Sequence, residues 1–276
     1  MKKLTGIYWI KDEGPYLQEY IEFHLLQGFD HFIFYDNGST DNTKEVLEPY
    51  INKGLVELRY YPKEVTQRKN FWLMTHCIQE QRGKSEWIHF HAIDERLYSP
   101  TGKSLPKVLE DYKDYAGVCT NWVYVTYSGH ESKPEGLIIE NYTKVIDDPM
   151  KHVKTIIQPD KVLPITPPNP HNFIYPPGEC SVDENFNTVN GAWNHNEYTM
   201  DVFKNYHYVT MSREEFNTKC NKGLLDHAHS ENVRRPDSWS EAKWKDVNEN
   251  PHLERIDTEL LKFVEDIKRN AESNTI

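Results

Sequence analysis

Apolar residues recur along the first 125 positions in two alternating rhythms. Short runs rich in β-branched and aromatic residues, at positions 4–10, 31–35, 55–61, 87–93 and 117–125, read as strands. Between them lie segments of helical spacing. Leu17, Tyr20, Ile21, His24 and Leu25 share one face between Pro15, which suits a first helical turn, and Gly28. Positions 42–51, closed by Gly54, 67–81, ending before Gly83, and 105–112 give three more helices. Strands spaced by helices of this length predict βαβ units, and so an α/β fold with a mostly parallel central sheet flanked by helices.

The texture changes after Ser128. Prolines stand at 159, 164, 167, 168, 170, 176 and 177 with short apolar runs between them. This reads as loops and short strands packed on the sheet, because a flexible linker would hold more Gly and Ser and less Ile, Phe and Tyr. Ser212 with Glu215 forms a capping box that opens a helix over 213–221, and Ser238 with Glu241 opens another. Ile256, Leu260, Leu261, Phe263, Val264 and Ile267 predict an amphipathic helix over 253–269. No repeat or low-complexity segment interrupts the chain.

Composition narrows the function. The chain has 276 residues, 43 acidic against 32 basic, for a net charge of −11. Neutralising phosphates takes a basic face, so this balance argues against a nucleic-acid or anionic-membrane surface. The mean hydropathy is low, −0.78, but the 13% aromatic share is too high for a disordered chain. No apolar run approaches the roughly 20 residues that span a bilayer. The N-terminal apolar stretch meets Lys11, Asp12 and Glu13 before a signal-peptide core forms. Cys77, Cys119, Cys180 and Cys220 stand far apart with no CxxC pair, which gives neither a zinc knuckle nor a disulfide framework. A soluble, cytoplasmic protein with reduced thiols is the expectation.

Three strand ends carry candidate chemistry. Asp36-Asn37-Gly38-Ser39-Thr40-Asp41 follows a strand and opens a helix, where ligands of open α/β sheets bind. A carboxylate there serves a ribose or base, and equally caps a helix in an Asx turn. Lys11-Asp12-Glu13-Gly14 ends the first strand beside it and reads equally as solvated charge. Asp94 and Glu95 close the apolar run from Trp87, and acids at such a strand end suit a divalent cation held partly by phosphates. His89 and His91 make an HxH pair close to Asp94, with His227 and His229 later. A zinc hydrolase uses such pairs, but buried strand histidines with satisfied rings are commoner. Trp122, Tyr124, Tyr127, Trp193 and Tyr198 offer rings on which sugars stack, with core packing as the competing use.

These stretches, taken in order, resemble the GT-A-fold glycosyltransferases of family 92 and related family-2-like enzymes. The resemblance begins at Lys11-Asp12-Glu13-Gly14-Pro15-Tyr16-Leu17 and continues through Glu19, Glu22, His24 and Gly28-Phe29-Asp30-His31-Phe32. It runs on through Tyr35 to Asp41, Trp87 to Leu97, Ser128-Gly129-His130, Pro134-Glu135-Gly136-Leu137 and Lys154 to Pro159. It ends at His207-Tyr208 with Ser212 and Lys219, so that it covers roughly residues 5–265. The departures are Ala92, where the family's D-x-D has its first acid, Arg96 in place of Phe, and Tyr206 where Asn often precedes His-Tyr.

The resemblance implies a single GT-A-like domain with C-terminal helices. Residues 1–127 would bind the nucleotide sugar, 128–211 would face the acceptor and 212–276 would form a helical extension. It implies sugar transfer from a nucleotide-diphosphate sugar to a glycan or glycoconjugate acceptor, with inversion and with Mn2+ or Mg2+. Lys11, Glu13, Asp36, Gln67, Arg68 and Asp94 would serve the donor, and Asp94 and His207 the metal. His130 and Trp193 would face the acceptor, with Glu131, Glu135 or Asp183 as base. Ala92 keeps a second expectation open, a relative that binds nucleotide sugar or glycan with little turnover; a His/Asp metal-dependent hydrolase stands third.

Overall fold

The computed structural model describes residues 1–62, 64–65, 69–147, 150–166, 171–222, 237–249 and 254–274. The strand–helix alternation read from the first half is present: β1 (Lys2–Ile10), α1 (Gly14–Leu26), β2 (His31–Asp36), α2 (Thr43–Asn52), β3 (Val56–Tyr60), α3 (Lys69–Gln81) and β4 (Ser85–Phe90). Where one strand was expected over 87–93, the chain instead leaves the sheet after Phe90, turns at Ala92–Asp94 and re-enters as β5 (Glu95–Tyr98). That turn has neither Gly nor Pro to announce it. It is closed by the Glu95 N–H donating to the Ala92 carbonyl at 3.1 Å.

The next elements are α4 (Leu105–Leu109), continued by a 3-10 turn at Glu110–Tyr112, and β6 (Gly117–Tyr124). The segment after Ser128 contributes α5 (Ile138–Asn141), β7 (Lys144–Ile146), β8 (Met150–Ile157), β9 (Ser181–Val182) and β10 (Lys204–His207). The C-terminal part holds α6 (Arg213–Lys222), α7 (Asp237–Asn248), β11 (Glu254–Ile256) and α8 (Val264–Asn274). The amphipathic segment expected over 253–269 is thus divided among a short strand, a 3-10 turn at Glu259–Phe263 and α8. Half of the apolar residues that predicted it, Leu260, Val264 and Ile267, are buried in one cluster with Phe23, Tyr98 and Val145, whereas Ile256 and Leu261 are exposed.

The main sheet runs β3-β2-β1-β4-β8-β6-β10-β5, with β9 alongside β6. Five of its pairings are parallel and three, those of β8 with β4 and β6 and of β5 with β10, are antiparallel. The α/β class and the mostly parallel sheet are therefore as expected, but the sheet is mixed. The core is one reason the strands read so clearly: β2 and β6 are buried along their whole lengths. No helix among the described residues is long and apolar enough to cross a membrane.

Directionality gathers the site. β1, β2, β3, β4, β6 and β10 all end at one edge of the sheet, and β5 and β8 start there. Residues that sequence places far apart thus meet at the carboxyl ends of the parallel strands, the usual place for a ligand crevice.

Candidate active site

The loops after β1 and β2 are stitched together. The β1–β2 register sets Ile10 beside Asp36. Asp12 adopts a left-handed backbone conformation (φ 51°), and its Oδ1 accepts from the Thr40 N–H at 2.7 Å and the Asp41 N–H at 3.3 Å. The Gly14 N–H donates to Asp41 Oδ2 at 2.9 Å. Asp36 Oδ1 accepts from the Ser39 N–H and hydroxyl at 2.9 and 2.6 Å, so its role as a turn former is realised. Lys69, at the start of α3, donates to Asn37 Oδ1 and has its amine pushed down by burial and by the neighbouring charge of Lys11. Gln67 and Arg68 lie outside the described residues, as do His227 and His229.

Asp94 sits in the turn before β5, and His207 ends β10; the ladder pairs Glu95 with His207. His207 Nε2 lies 3.3 Å from Asp94 Oδ2. Ligand atoms of Asp94, Glu95 and His207 lie within 4.8 Å of one another, close enough to hold one ion. Glu95 is committed to the interior: its carboxylate accepts from Asn205 Nδ2 at 3.1 Å and lies 3.5 Å from the buried Lys154 ammonium. Asp94 and His207 are the more open pair.

Two lysines of α6 reach into this cluster. Lys219 donates to Asp94 Oδ2 and, at 3.0 Å, to the Val209 carbonyl. Lys222 donates to the Asp12 carbonyl at 2.5 Å and lies 3.5 Å from Glu13 Oε1. α6 is fixed for this by its expected capping box. The Glu215 N–H donates to Ser212 Oγ and the Ser212 N–H to Glu215 Oε2, both at 3.2 Å, and the phenols of Tyr16 and Tyr142 donate to the two Glu215 oxygens at 2.9 and 2.5 Å. Lys219 entered the sequence reading only within the family resemblance, without a role, and Lys222 did not stand out, because charged helix residues read as solvated. The available signal was spacing: Glu215, Lys219 and Lys222 share one helical face.

Burial opposes ionisation of Asp94, but Lys219 and His207 outweigh it and hold its carboxyl well below the usual range. Glu13 goes the other way. Burial, with the charge of Asp94 adding to it and Lys222 and Lys219 opposing it, pushes its carboxyl up to about 7. A carboxyl whose pKa rises on folding costs stability as pH rises from about 4.5 towards 7, here on the order of 3 kcal/mol. We therefore expect Glu13→Gln, melted in a chelator, to match the wild type near pH 4 and to be the more stable protein at pH 8. Equal melting points at pH 8 would show that Glu13 is not strained there.

The remaining sequence candidates separate. His89 and His91 are fully buried, and the rings of both lie in the sheet interior with His24. His91 meets the Tyr20 hydroxyl at 2.9 Å and Asn205 Oδ1 at 3.1 Å. Among the described residues neither belongs to a group of three metal-ligating side chains. His130 lies in the loop before α5, its Nε2 3.2 Å from the Asn141 carbonyl and its ring edge-on to Tyr142. Glu131 and Glu135 are exposed in that same loop. Asp183 is 1% exposed, and its oxygens accept from the Asn185 and Asn187 N–H groups and from Asn196 Nδ2 at 2.9–3.0 Å. It braces a wall of an open depression of about 760 Å³ lined by Lys151, Asn187, Asn196 and Tyr198 among others.

Trp193 is 46% exposed. Its loop lies antiparallel along β8, with Asn194 N–H donating to the Lys151 carbonyl at 2.7 Å. From Trp193 a row of rings leads inward: His152 at 3.6 Å between centroids, then Trp122 at 5.3 Å from His152, then His207 at 4.4 Å from Trp122. An exposed aromatic face is thereby connected to the acidic cluster.

The model of glycosyltransferase family 92 matches residues 4–255. A glycosyltransferase family 92 protein of Ricinus communis is 26% identical over 260 residues, 90% of this chain and 45% of its own length. One from Arabidopsis thaliana is 28% identical over 235 residues, 79% of this chain and 39% of its own length. Galactan beta-1,4-galactosyltransferase GALS1 of Arabidopsis thaliana is 27% identical over 104 residues, 35% of this chain and 21% of its own length. The chain thus spans less than half the length of these relatives. Among solved structures, S. aureus TarS 1-349 aligns with 58% of this chain and 47% of its own, at 15% identity and a TM-score of 0.39.

Proposed function

The chain belongs to glycosyltransferase family 92, and on that premise we propose that it moves a sugar from a nucleotide-diphosphate sugar to a carbohydrate acceptor, with inversion and with a divalent cation. The observation that carries this reading is the Asp94–His207 pair at the carboxyl edge of the sheet, beside Glu13 and the loop of Asp36. Asp36, Glu13 and Lys11 would meet the nucleoside, and Asp94 and His207 would hold the cation. Carboxylate and imidazole together fit manganese better than magnesium, which prefers oxygens alone. When bound, such an ion would neutralise charge on the departing diphosphate. The row of rings from Trp193 would receive the acceptor, whose sugar CH faces stack on indole. The asparagine-rich depression beside it suits hydroxyl groups.

Nucleotide binding to the native state raises the melting point by mass action. UDP or GDP with Mn2+ should therefore stabilise the protein, and a donor screen should release nucleotide diphosphate. No shift with any common nucleotide would sink the transferase reading. Ala92 favours a second reading, a binder with little turnover, since the first acid of D-x-D is absent. Ala92→Asp then raises donor affinity; an unchanged affinity would show that Ala92 is no lesion.

A further inference from the structure

Asp94 faces two cationic claims. The acid is placed to hold a divalent ion, yet Lys219 already donates to its Oδ2. The arrangement is built, since α6 is clamped by the capping box of Ser212 and Glu215 and by two tyrosines, and the Val209 carbonyl gives the ammonium a second anchor. Two of its three N–H groups are used, and the third has no partner among the described residues. One turn further on, Lys222 lies on Glu13 and the Asp12 carbonyl. Each lysine thus covers an acid of the donor crevice from the same helical face.

We propose that Lys219 is a further catalytic residue, a donor-site cation that shares Asp94 with the divalent ion and turns to the donor's diphosphate when the ion takes the carboxylate. This rests on the transferase reading above. Two cations on one carboxylate repel, so the ion and the ammonium oppose each other there. A diphosphate reverses that relation, because its charge welcomes both. The ammonium keeps its proton throughout. As the acceptor hydroxyl oxygen bonds to the sugar carbon and gives its proton to a base, the sugar–oxygen bond breaks, its electron pair stays with the leaving diphosphate, and Lys219 stabilises that charge by a hydrogen bond. The lysine is thereby also a guard against the ion settling without its donor.

The test is two titrations of the full chain, for wild type, Lys219→Met and Lys219→Arg. Mn2+ alone is followed by electron paramagnetic resonance of the free ion. UDP or GDP, whichever the wild type binds, is then titrated at saturating Mn2+. Lys219→Met should bind Mn2+ alone at least tenfold more tightly and the nucleotide at least tenfold more weakly, while Lys219→Arg stays near wild type in both. A merely structural lysine weakens both, and an idle one changes neither; either result overturns the proposal. Should the methionine variant misfold, Lys219→Gln, still able to donate to Asp94, reads the loss of charge in its place. Failure of the wild type to bind Mn2+ or any nucleotide marks instead the failure of the transferase reading.

Discussion

Asp94→Asn is expected to lower sugar transfer by at least about 10²–10³-fold, the scale seen when one group that stabilises developing charge is removed. Asparagine is nearly isosteric, and the hydrogen bond from the Tyr208 N–H goes to the Asp94 backbone carbonyl at 2.7 Å, so the turn before β5 should survive. What disappears is the charge that faces His207 and Lys219. Under the proposed mechanism the cation loses its more open carboxylate, because Glu95 is bound to Asn205 and Lys154. The checks are nucleotide-diphosphate release and manganese uptake on the same preparation. Near-normal turnover would remove Asp94 from the donor site. Unchanged uptake with lost turnover would move its role from holding the ion to placing Lys219.

The largest expected loss of stability lies elsewhere. Arg96 is fully buried, 3.2 Å from Glu19 Oε1, and donates to the Ile93 and Glu95 carbonyls at 2.7 and 3.1 Å. Glu19 also caps α5, accepting from the Ile138 and Ile139 N–H groups at 2.6 and 3.2 Å. Arg96→Met leaves a buried carboxylate without its cation, a change that costs about 3–5 kcal/mol. At about 2–4 °C per kcal/mol for a chain near this size, the melting point should fall by roughly 6–20 °C. Glu19→Leu added to Arg96→Met should recover only part, since the α5 cap is lost as well. A fall of less than about 2 °C in the single variant would show that Glu19 is already satisfied without the guanidinium.

Arg96 also marks the boundary of what the chain discloses by itself. The alternation of strand and helix, the turn that Asp36 closes with Ser39 and the box at Ser212 are local: each element is specified by residues a few positions apart. Asp94 at a strand end was legible from the residues, but its pairing with His207 came from family resemblance, and the β5–β10 ladder that joins them spans more than a hundred residues. No local signal encodes that distance. Arg96 and Glu19 illustrate the rest. A charged residue in an apolar run reads as a defect or as surface, and only three-dimensional packing reveals that the two neutralise each other. Glu184 is buried by other means: it is 7% exposed and accepts from the Thr199, Met200 and Val202 N–H groups at 2.5–2.9 Å. The turn at Ala92–Asp94 was hidden for another reason, that it holds neither Gly nor Pro, the strongest punctuation of turns.

The position of β8 has a consequence for how the chain reaches this state. It lies between β4 and β6, so the sheet cannot be continuous until residue 157 is available. β5, made from residues 95–98, waits longer still, because its partner β10 ends at His207. During synthesis, at about 5–20 residues per second, the β5 segment would spend several seconds unpaired, with a buried-type edge exposed. The early strands β1 to β4 can assemble meanwhile by short crossovers. The carboxyl edge of the sheet thus closes in order, the loops of Asp12 and Asp36 first and the Asp94–His207 pair last, and a ribosome pause before residue 204 would extend the interval most open to misassociation.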